Sequence, residues 1–176
     1  MLDKVPQKAR AFWPVLILFY IVDFVTKQLA VAELSPAYVP HPVIGDFFRL
    51  TLAYNRGAAM GLSLGGYSRA GFAITAAAVL VVLAVIYRKT PPNAKGQAIA
   101  LALIAAGALG NLTDRIMSPM GVVDFIDVGI GSARFYTFNI ADSAITCGAV
   151  LLAVLSMKSD REMKAAAAAA QIPGEV

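Results

Sequence analysis

Four long apolar stretches alternate with shorter polar segments along the chain. The pattern predicts helices over about residues 12–32, 70–87, 96–115 and 139–157. A helix rises about 1.5 Å per residue, so a hydrocarbon core of about 30 Å requires roughly 20 residues. The second stretch is interrupted only by Thr75, whereas the others reach this length by including polar residues near one end. We therefore predict an all-α integral membrane protein, a bundle of four transmembrane helices with a buried polar layer.

The segment between the first two helices carries a different pattern. Residues 47–54 alternate apolar and polar side chains, which is typical of a β-strand. We expect a small extracytoplasmic β-like segment that lies on the membrane surface.

Composition strengthens the membrane interpretation. Hydrophobic residues make up 59% of the 176 residues and charged residues only 15%, against roughly 25% charged in an ordinary soluble domain. The net charge of +4 does not indicate nucleic-acid binding, which requires Lys and Arg clustered on a water-facing surface. Here the basic residues lie between the apolar stretches, where they orient a membrane protein. We expect one membrane domain over residues 1–157 and a cytoplasmic tail over residues 158–176.

Lys and Arg are unevenly divided between the two ends of the predicted helices. More of them lie on the side of the N-terminus, so the positive-inside rule places both termini in the cytoplasm. Lys8, Arg10 and the apolar run that follows imitate a cleavable signal peptide. Because Asp23 and Lys27 fall inside or just after that run and three further helices follow, we interpret it as a retained first helix.

Four aspartates lie in or next to the outer ends of the predicted helices: Asp23, Asp114, Asp124 and Asp142. A carboxylate that faces lipid is energetically costly, so such groups turn toward the bundle interior and usually serve a function. Any one of them could equally be an anchor at a helix end. Their convergence at one membrane face favours a shared site, with Asp124 and Asp142 as the pair that carries the chemistry.

A pair of aspartates can hydrolyse a peptide without a metal or a covalent intermediate. Two carboxyl groups within about 3 Å of each other cannot both ionise, so the pair shares one proton at neutral pH. The ionised member takes a proton from water while the other protonates the carbonyl oxygen or the leaving nitrogen. We therefore expect no cofactor and no metal.

The sequence offers few residues for other mechanisms of hydrolysis. The only histidine, His41, lies between two prolines, which disfavours a catalytic triad or a histidine-based zinc site. Cys147 lies among small apolar residues without a basic partner, and we interpret it as a packing residue.

Further polar residues occur at helical spacing around the acids. Asn111, Asp114 and Arg115 stand at i, i+3 and i+4, so they share one helix face. Asp23 and Lys27 stand at i and i+4 and could neutralise each other inside the first helix. An equally good interpretation of Lys27 is a side chain that extends to the helix end to reach water.

At these residues the chain resembles the bacterial lipoprotein signal peptidases (signal peptidase II). The resemblance covers roughly residues 12–157 and rests on five short blocks. The blocks are Asp23 with Thr26-Lys27, the small-residue loop Asn55 to Gly61, Gly110 to Arg115, Val122 to Phe125, and Phe138 to Asp142. Each block alone is weakly specific, but all five in this order within a four-helix layout are highly specific.

The resemblance implies an intramembrane aspartic endopeptidase that cleaves lipid-modified prolipoproteins just before the diacylglyceryl-cysteine. Asp124 and Asp142 align with the family's catalytic aspartates, and Asp23 and Lys27 align with a structural pair. The resemblance further implies that other residues in the blocks support the site or hold the substrate, namely Asn55, Gly57, Asn111, Asp114, Arg115, Asn139 and Ala141. The chain departs from the family at Met60, where an aromatic residue is usual.

The resemblance also implies a location and partners. We expect a monomeric, multi-pass protein of the bacterial cytoplasmic (inner) membrane, with its active site toward the outer face. Its partners would be diacylglyceryl-modified prolipoproteins and membrane lipids, and no nucleic acid. The outer strand-like segment and the loop between the third and fourth helices are expected to close over the peptide as a clamp or lid.

Two other function classes fit an apolar bundle with buried acids. Intramembrane acids also mark the proton relays of small proton-coupled membrane transporters. Such proteins usually place their acids near the midplane and contain repeated halves, whereas this chain clusters its acids at one face and shows no internal repeat. A non-enzymatic membrane scaffold is the other alternative, and it leaves the paired carboxylates unexplained.

Overall fold

The computed structural model describes residues 5–56, 58–59, 62–63 and 68–170. In this part of the chain the helices are α1 (Gln7–Glu33), α2 (Ser68–Lys89), α3 (Lys95–Met117) and α4 (Ile140–Ala170). All four are long and apolar enough to cross a membrane. The strands are β1 (His41–Ile44), β2 (Phe48–Asn55), β3 (Ala58–Ala59), β4 (Leu62–Ser63), β5 (Val122–Ile130) and β6 (Ala133–Arg134). The predicted fold, a four-helix membrane bundle with a small sheet, is confirmed.

Helix α3 occupies the middle of the bundle and packs against the other three helices. Its buried face is built largely from alanine and glycine, which allow helix backbones to approach closely. The closest approach is to α4, where any side chain at Gly107 would collide with the backbone carbonyl of Ala141. A side chain at Gly148 would likewise lie against the carbonyl of Ala100. This close packing brings the start of α4 beside the end of α3.

The outward faces of the helices are apolar and exposed. Trp13 and Leu18 on α1, Ile74 and Val81 on α2, and Val150 on α4 are each more than half exposed. A soluble protein would bury such side chains, whereas a lipid bilayer solvates them.

The strands form a sheet at the end of the bundle where α1 ends and α4 begins. The order is β1-β2-β5-β6, and the paired strands are antiparallel. Strand β2 occupies nearly the span predicted from the alternation at residues 47–54. Its register with β5 places Ala53 opposite Asp124 and Asn55 opposite Val122. Strands β3 and β4 pair separately as a short hairpin.

Strand β5 was not predicted, because its sequence does not alternate. Residues 122–125 are all buried, so both faces of the strand are covered and apolar side chains occur on both. Polar-apolar alternation marks only strands with one face in water.

Helix α4 extends beyond the end predicted at residue 157. It continues as far as Ala170, through residues that were expected to form a tail after the helix. Alanine has the highest helix propensity of the amino acids, so the alanine-rich sequence favours a helix there.

Candidate active site

The start of α4 is organised by two residues that cap it reciprocally. Asn139 precedes the first residue of the helix, and its side-chain oxygen accepts the backbone N–H of Asp142 at 2.9 Å. The Asp142 carboxylate accepts the backbone N–H of Asn139 at 3.3 Å. This is the capping-box arrangement, with aspartate in the position usually taken by glutamate. The cap holds the Asp142 side chain at the helix end rather than in the bundle.

Strand β5 brings Asp124 to the same place. Its carboxylate accepts a hydrogen bond of 2.7 Å from the side-chain amide of Asn139 and a second one from the side chain of Asn55. Asp124 is only 3% exposed and Asn139 is fully buried. One asparagine therefore contacts both acids, since Asn139 caps α4 together with Asp142.

A second asparagine completes the connection between the two carboxyl groups. The amide nitrogen of Asn111 donates to Asp142 at 2.8 Å, and its oxygen accepts the amide of Asn139 at 3.1 Å. Asp124, Asn139, Asn111 and Asp142 thus form one continuous hydrogen-bonded chain. Asp124 and Asp142 also line the same cavity. The structure thus brings together the two acids that the sequence selected.

Burial and a neighbouring charge alter the acidity of Asp124. Loss of hydration raises the pKa of Asp124, and the negative charge of Asp142 raises it further, to about 7. The hydrogen bonds from Asn55 and Asn139 and the charge of Lys27 partly oppose this rise. A carboxyl group with such a pKa is available to hold a proton near neutral pH.

The cavity that contains both acids has a volume of about 830 Å³ and mixed walls. Its polar wall includes Asn55 and Arg56 from the end of β2. Other lining side chains come from the segment before α4 and from the first turns of α4 itself. These are Phe135, Tyr136, Thr137, Phe138, Ser143, Thr146 and Cys147.

These aromatic and α4 side chains were not predicted as part of the site. The aromatic run before α4 was the available signal, and Phe135 stacks edge to face on Phe138 across 5.8 Å. The interpretation of Cys147 as a packing residue is wrong, because its side chain is exposed and lines the cavity. It lies five positions after Asp142, on the side of α4 that the other helices do not cover.

A buried group of charges lies behind the two acids. Lys27 forms salt bridges with Asp23 at 2.8 Å and with Asp114 at 3.0 Å. Asp23 and Lys27 are each 1% exposed, so the lysine does not extend to the helix end. Arg115 lies nearby and donates to the backbone carbonyl of Asn111 at 2.9 Å.

The structure brings nearly all the other predicted site residues into this region. Ala141 is buried, and its N–H donates to Asp23 at 2.8 Å. Gly57 and Met60 lie outside the described residues. His41 lies on β1 and does not line the cavity. Within the described ranges, no three His, Cys, Asp or Glu side chains are arranged to hold a metal ion.

Comparison with known proteins gives a consistent result. The family model for "Signal peptidase (SPase) II" matches residues 15–158. The chain is 41% identical over 164 residues to the lipoprotein signal peptidase of Streptomyces coelicolor, covering 87% of this chain and 76% of that protein. It is 43% identical over 155 residues to the lipoprotein signal peptidase of Ectopseudomonas mendocina, covering 86% and 90% respectively.

Two solved structures of bacterial membrane enzymes, both obtained by the in meso method, share the fold. The first, at 2.3 Å resolution, has a TM-score of 0.74 and 32% identity, covering 92% of both chains. The second, at 1.9 Å, has a TM-score of 0.72 and 34% identity, covering 82% of this chain and 90% of that one.

Proposed function

The chain belongs to the signal peptidase II family, and we propose that it is an aspartic endopeptidase that removes signal peptides from lipid-modified prolipoproteins. We propose that it cleaves just before the diacylglyceryl-cysteine, with Asp124 and Asp142 as the catalytic pair. The observation that carries this proposal is the hydrogen-bonded chain from Asp124 through Asn139 and Asn111 to Asp142, at the wall of an open cavity. Because the family is one of peptidases, we do not retain the alternative function of a proton-coupled transporter.

The chemistry follows from one proton shared by two carboxyl groups. The ionised carboxylate accepts a proton from a water molecule, and the resulting hydroxide attacks the scissile carbonyl carbon. The protonated carboxyl group donates to the carbonyl oxygen and so stabilises the developing negative charge. When the intermediate collapses, the proton taken from water passes to the leaving nitrogen. The raised pKa of Asp124 supports this scheme, because it keeps a proton on the pair near neutral pH.

The cavity suits a substrate that is itself anchored in the membrane. Its apolar and aromatic wall, which includes Phe135 and Phe138, can contact the signal peptide. The side of the cavity formed by Thr146 and Cys147 lies along α4, below the acids, where a lipid-attached segment can enter sideways. Asn55 and Arg115, beside the acids, are proposed to hold the peptide or support the site.

The location follows from the family and from the distribution of charge. The protein is a multi-pass protein of the bacterial inner membrane, and we propose that both termini face the cytoplasm and that the sheet faces outward. We further propose that it acts as a monomer on diacylglyceryl-modified prolipoproteins, without a cofactor.

The direct test is cleavage of a diacylglyceryl-modified prolipoprotein by the purified protein in detergent. Asp124→Asn or Asp142→Asn should abolish cleavage, a loss of at least about 10⁴-fold. In either variant an amide replaces one of the two carboxyl groups, so the pair can no longer both accept and donate a proton. Each variant should still insert and remain folded, as judged by its thermal unfolding. Full activity in either variant would exclude the pair. A chelator should leave the rate unchanged, and activity that is lost to a chelator and restored by zinc would require a metal mechanism instead.

A further inference from the structure

Lys27 holds an unusual position for a buried lysine, because three acceptors surround its ammonium group. Besides the carboxylates of Asp23 at 2.8 Å and Asp114 at 3.0 Å, the side-chain oxygen of Asn111 accepts from it at 3.0 Å. An ammonium group carries three N–H donors, so these acceptors match its full capacity. Neutralising Asp23, its neighbour one turn earlier on α1, would require only one of these three N–H donors.

Each of the three acceptors makes a second contact that leads to a catalytic aspartate. Asp23 accepts the backbone N–H of Ala141, the residue before Asp142, at 2.8 Å. Asp114 accepts the backbone N–H of Val123, the residue before Asp124, at 3.2 Å.

The third contact runs through an amide whose orientation Lys27 helps to set. With its oxygen toward the ammonium group, Asn111 must direct its NH₂ group to Asp142, at 2.8 Å. The opposite orientation would place donor against donor at Lys27 and oxygen against carboxylate at Asp142. Lys27 and the amide of Asn139, which donates to the same oxygen at 3.1 Å, thereby determine together which atom of Asn111 meets the acid.

The backbone around this cluster is shaped for close contact. Any side chain at Gly110 would collide with the carboxylate of Asp23. The lysine comes from α1, Asn111 and Asp114 come from α3, Ala141 starts α4, and Val123 lies on β5. One charged group therefore connects four of the elements that meet at the site.

We infer that Lys27 is a positioning residue that sets the distance and orientation between Asp124 and Asp142, a role that rests on the proposed function and exceeds neutralisation of Asp23. Its charge also acts on the shared proton. Lys27 lowers the pKa of Asp124, while Asp142 raises it. Arg115, on α3, is a second cation in this region, and the negative charges of Asp142 and Asp124 both act on its guanidinium group.

The informative variant is the pair Asp23→Asn with Lys27→Met, because it removes one positive and one negative charge together. The amide introduced by Asp23→Asn retains an oxygen that can accept the N–H of Ala141, so the helix contact survives and an unpaired buried charge at that position is avoided. If Lys27 positions the acids, kcat for prolipoprotein cleavage falls about 100-fold, since small misplacements of reacting groups have effects of this size. KM should change little, because the lysine does not line the cavity. The alkaline limb of the pH profile should move to higher pH.

Two matched variants separate positioning from general stability. Asp23→Asn alone keeps the contacts of Lys27 with Asp114 and Asn111, so the further fall in kcat from this single variant to the double variant isolates the loss of the lysine, and equal kcat values in the two variants would contradict the inference. Lys8→Met removes a lysine that donates to the backbone carbonyls of Tyr87 and Thr90 at the other end of the bundle. It should lower Tm without moving kcat or the pH profile. A wild-type kcat and pH profile in the double variant would overturn the inference.

A second measurement keeps this inference separate from the proposed function. Infrared spectroscopy follows the protonated carboxyl groups of the folded protein in detergent without any substrate. Loss of Lys27 should shift the titration of the buried carboxyl band to higher pH, and an unshifted titration would contradict the inference. If the wild-type protein fails to cleave any prolipoprotein, the proposed function fails while this titration still tests the lysine.

Discussion

At the scale of single residues, the site depends on which hydrogen bonds and charges replace the hydration that a carboxyl group loses on burial. Asp124 keeps hydrogen bonds from two neutral amides, Asn55 and Asn139, and none of its neighbours forms a direct ion pair with it in the described part of the chain. Neutral donors compensate a charge only in part, so the pKa of Asp124 rises to about 7. Asp23, by contrast, has Lys27 in contact. This difference in contacts distinguishes Asp124, which can exchange protons, from Asp23, which serves as an anchor.

The raised pKa of Asp124 predicts how stability changes with pH. Its pKa rises from 3.8 unfolded to about 7 folded, so between these values the folded state binds more protons and stability falls as pH rises. At high pH the ionised group costs up to about 4 kcal/mol. Asp124→Asn should therefore raise Tm relative to wild type more at about pH 8 than at about pH 5. Thermal unfolding in detergent measures this, with the exposed Asp160→Asn as control, and an equal change at both pH values would contradict it.

The same pKa predicts the pH dependence of cleavage. Because the proposed mechanism uses a single proton on the pair, kcat/KM should decline as the pH rises through about 7, where that proton is lost. A rate that keeps rising through about pH 8 would show that the proton is held elsewhere.

At the scale of elements, the sheet is held together by a second charged cluster. Asp127 on β5 accepts hydrogen bonds from Arg49 at 3.1 Å and Thr51 at 3.0 Å on β2, and from Arg134 on β6. Burial alone would raise the pKa of Asp127, but the hydrogen bonds from Arg134, Thr51 and Arg49 outweigh it and lower the pKa. Asp127 lies three residues after Asp124 on the same strand. The cluster therefore secures the strand that carries Asp124, one of the two proposed catalytic aspartates.

Asp127→Asn should weaken this sheet by about 2–3 kcal/mol, since it removes the charge from buried hydrogen bonds. Because the pKa of Asp127 is lower in the folded than in the unfolded protein, its carboxylate stabilises the fold at pH values above the unfolded pKa. The difference in stability between Asp127→Asn and wild type should therefore shrink as the pH falls through the acidic range. Thermal unfolding at neutral and acidic pH measures this. The matched control is Glu162→Gln, which removes an exposed ion pair with Lys158 and should change stability by less than about 0.5 kcal/mol. Equal effects of the two substitutions would show that the Asp127 cluster is not structural.

At the scale of the whole molecule, the two ends of the bundle differ in construction. One end carries the sheet, the paired acids and the cluster around Lys27. At the other end, Lys8 donates to the last carbonyl groups of α2 and lies 4.9 Å from the ring of Tyr87. A cation favours the C-terminal end of a helix, so Lys8 satisfies carbonyl groups that would otherwise lack partners. The basic residues near this end support the proposal that it faces the cytoplasm.

Reporter fusions test this orientation. A fusion joined after Leu50, in the sheet, should be active with a reporter that works only outside the cytoplasm. A fusion joined after Asn93, between α2 and α3, should be active only with a cytoplasmic reporter. Both junctions reporting from the same side would contradict the four-helix topology.

The sequence by itself determined the features that depend on local pattern. Helix length and apolar content identify the membrane spans, alternation identified β2, and the ordered blocks around Asp23, Asp124 and Asp142 identified the family. These patterns can be recognised without tertiary information, because each consists of residues that are close together along the chain. The i, i+4 spacing likewise indicated that Asp23 and Lys27 could pair.

Only the tertiary structure decided which polar groups meet across the fold. Lys27 contacts Asn111, 84 positions away, and Asp114, and no spacing rule predicts such pairs. Strand β5 is buried on both faces, so its sequence lacks the alternation that would have revealed it. The lining of the cavity by Cys147 depends on which side of α4 the other helices leave uncovered. In each case the deciding factor is how elements that are distant along the chain pack together, and between the helices this packing depends on glycine- and alanine-rich faces.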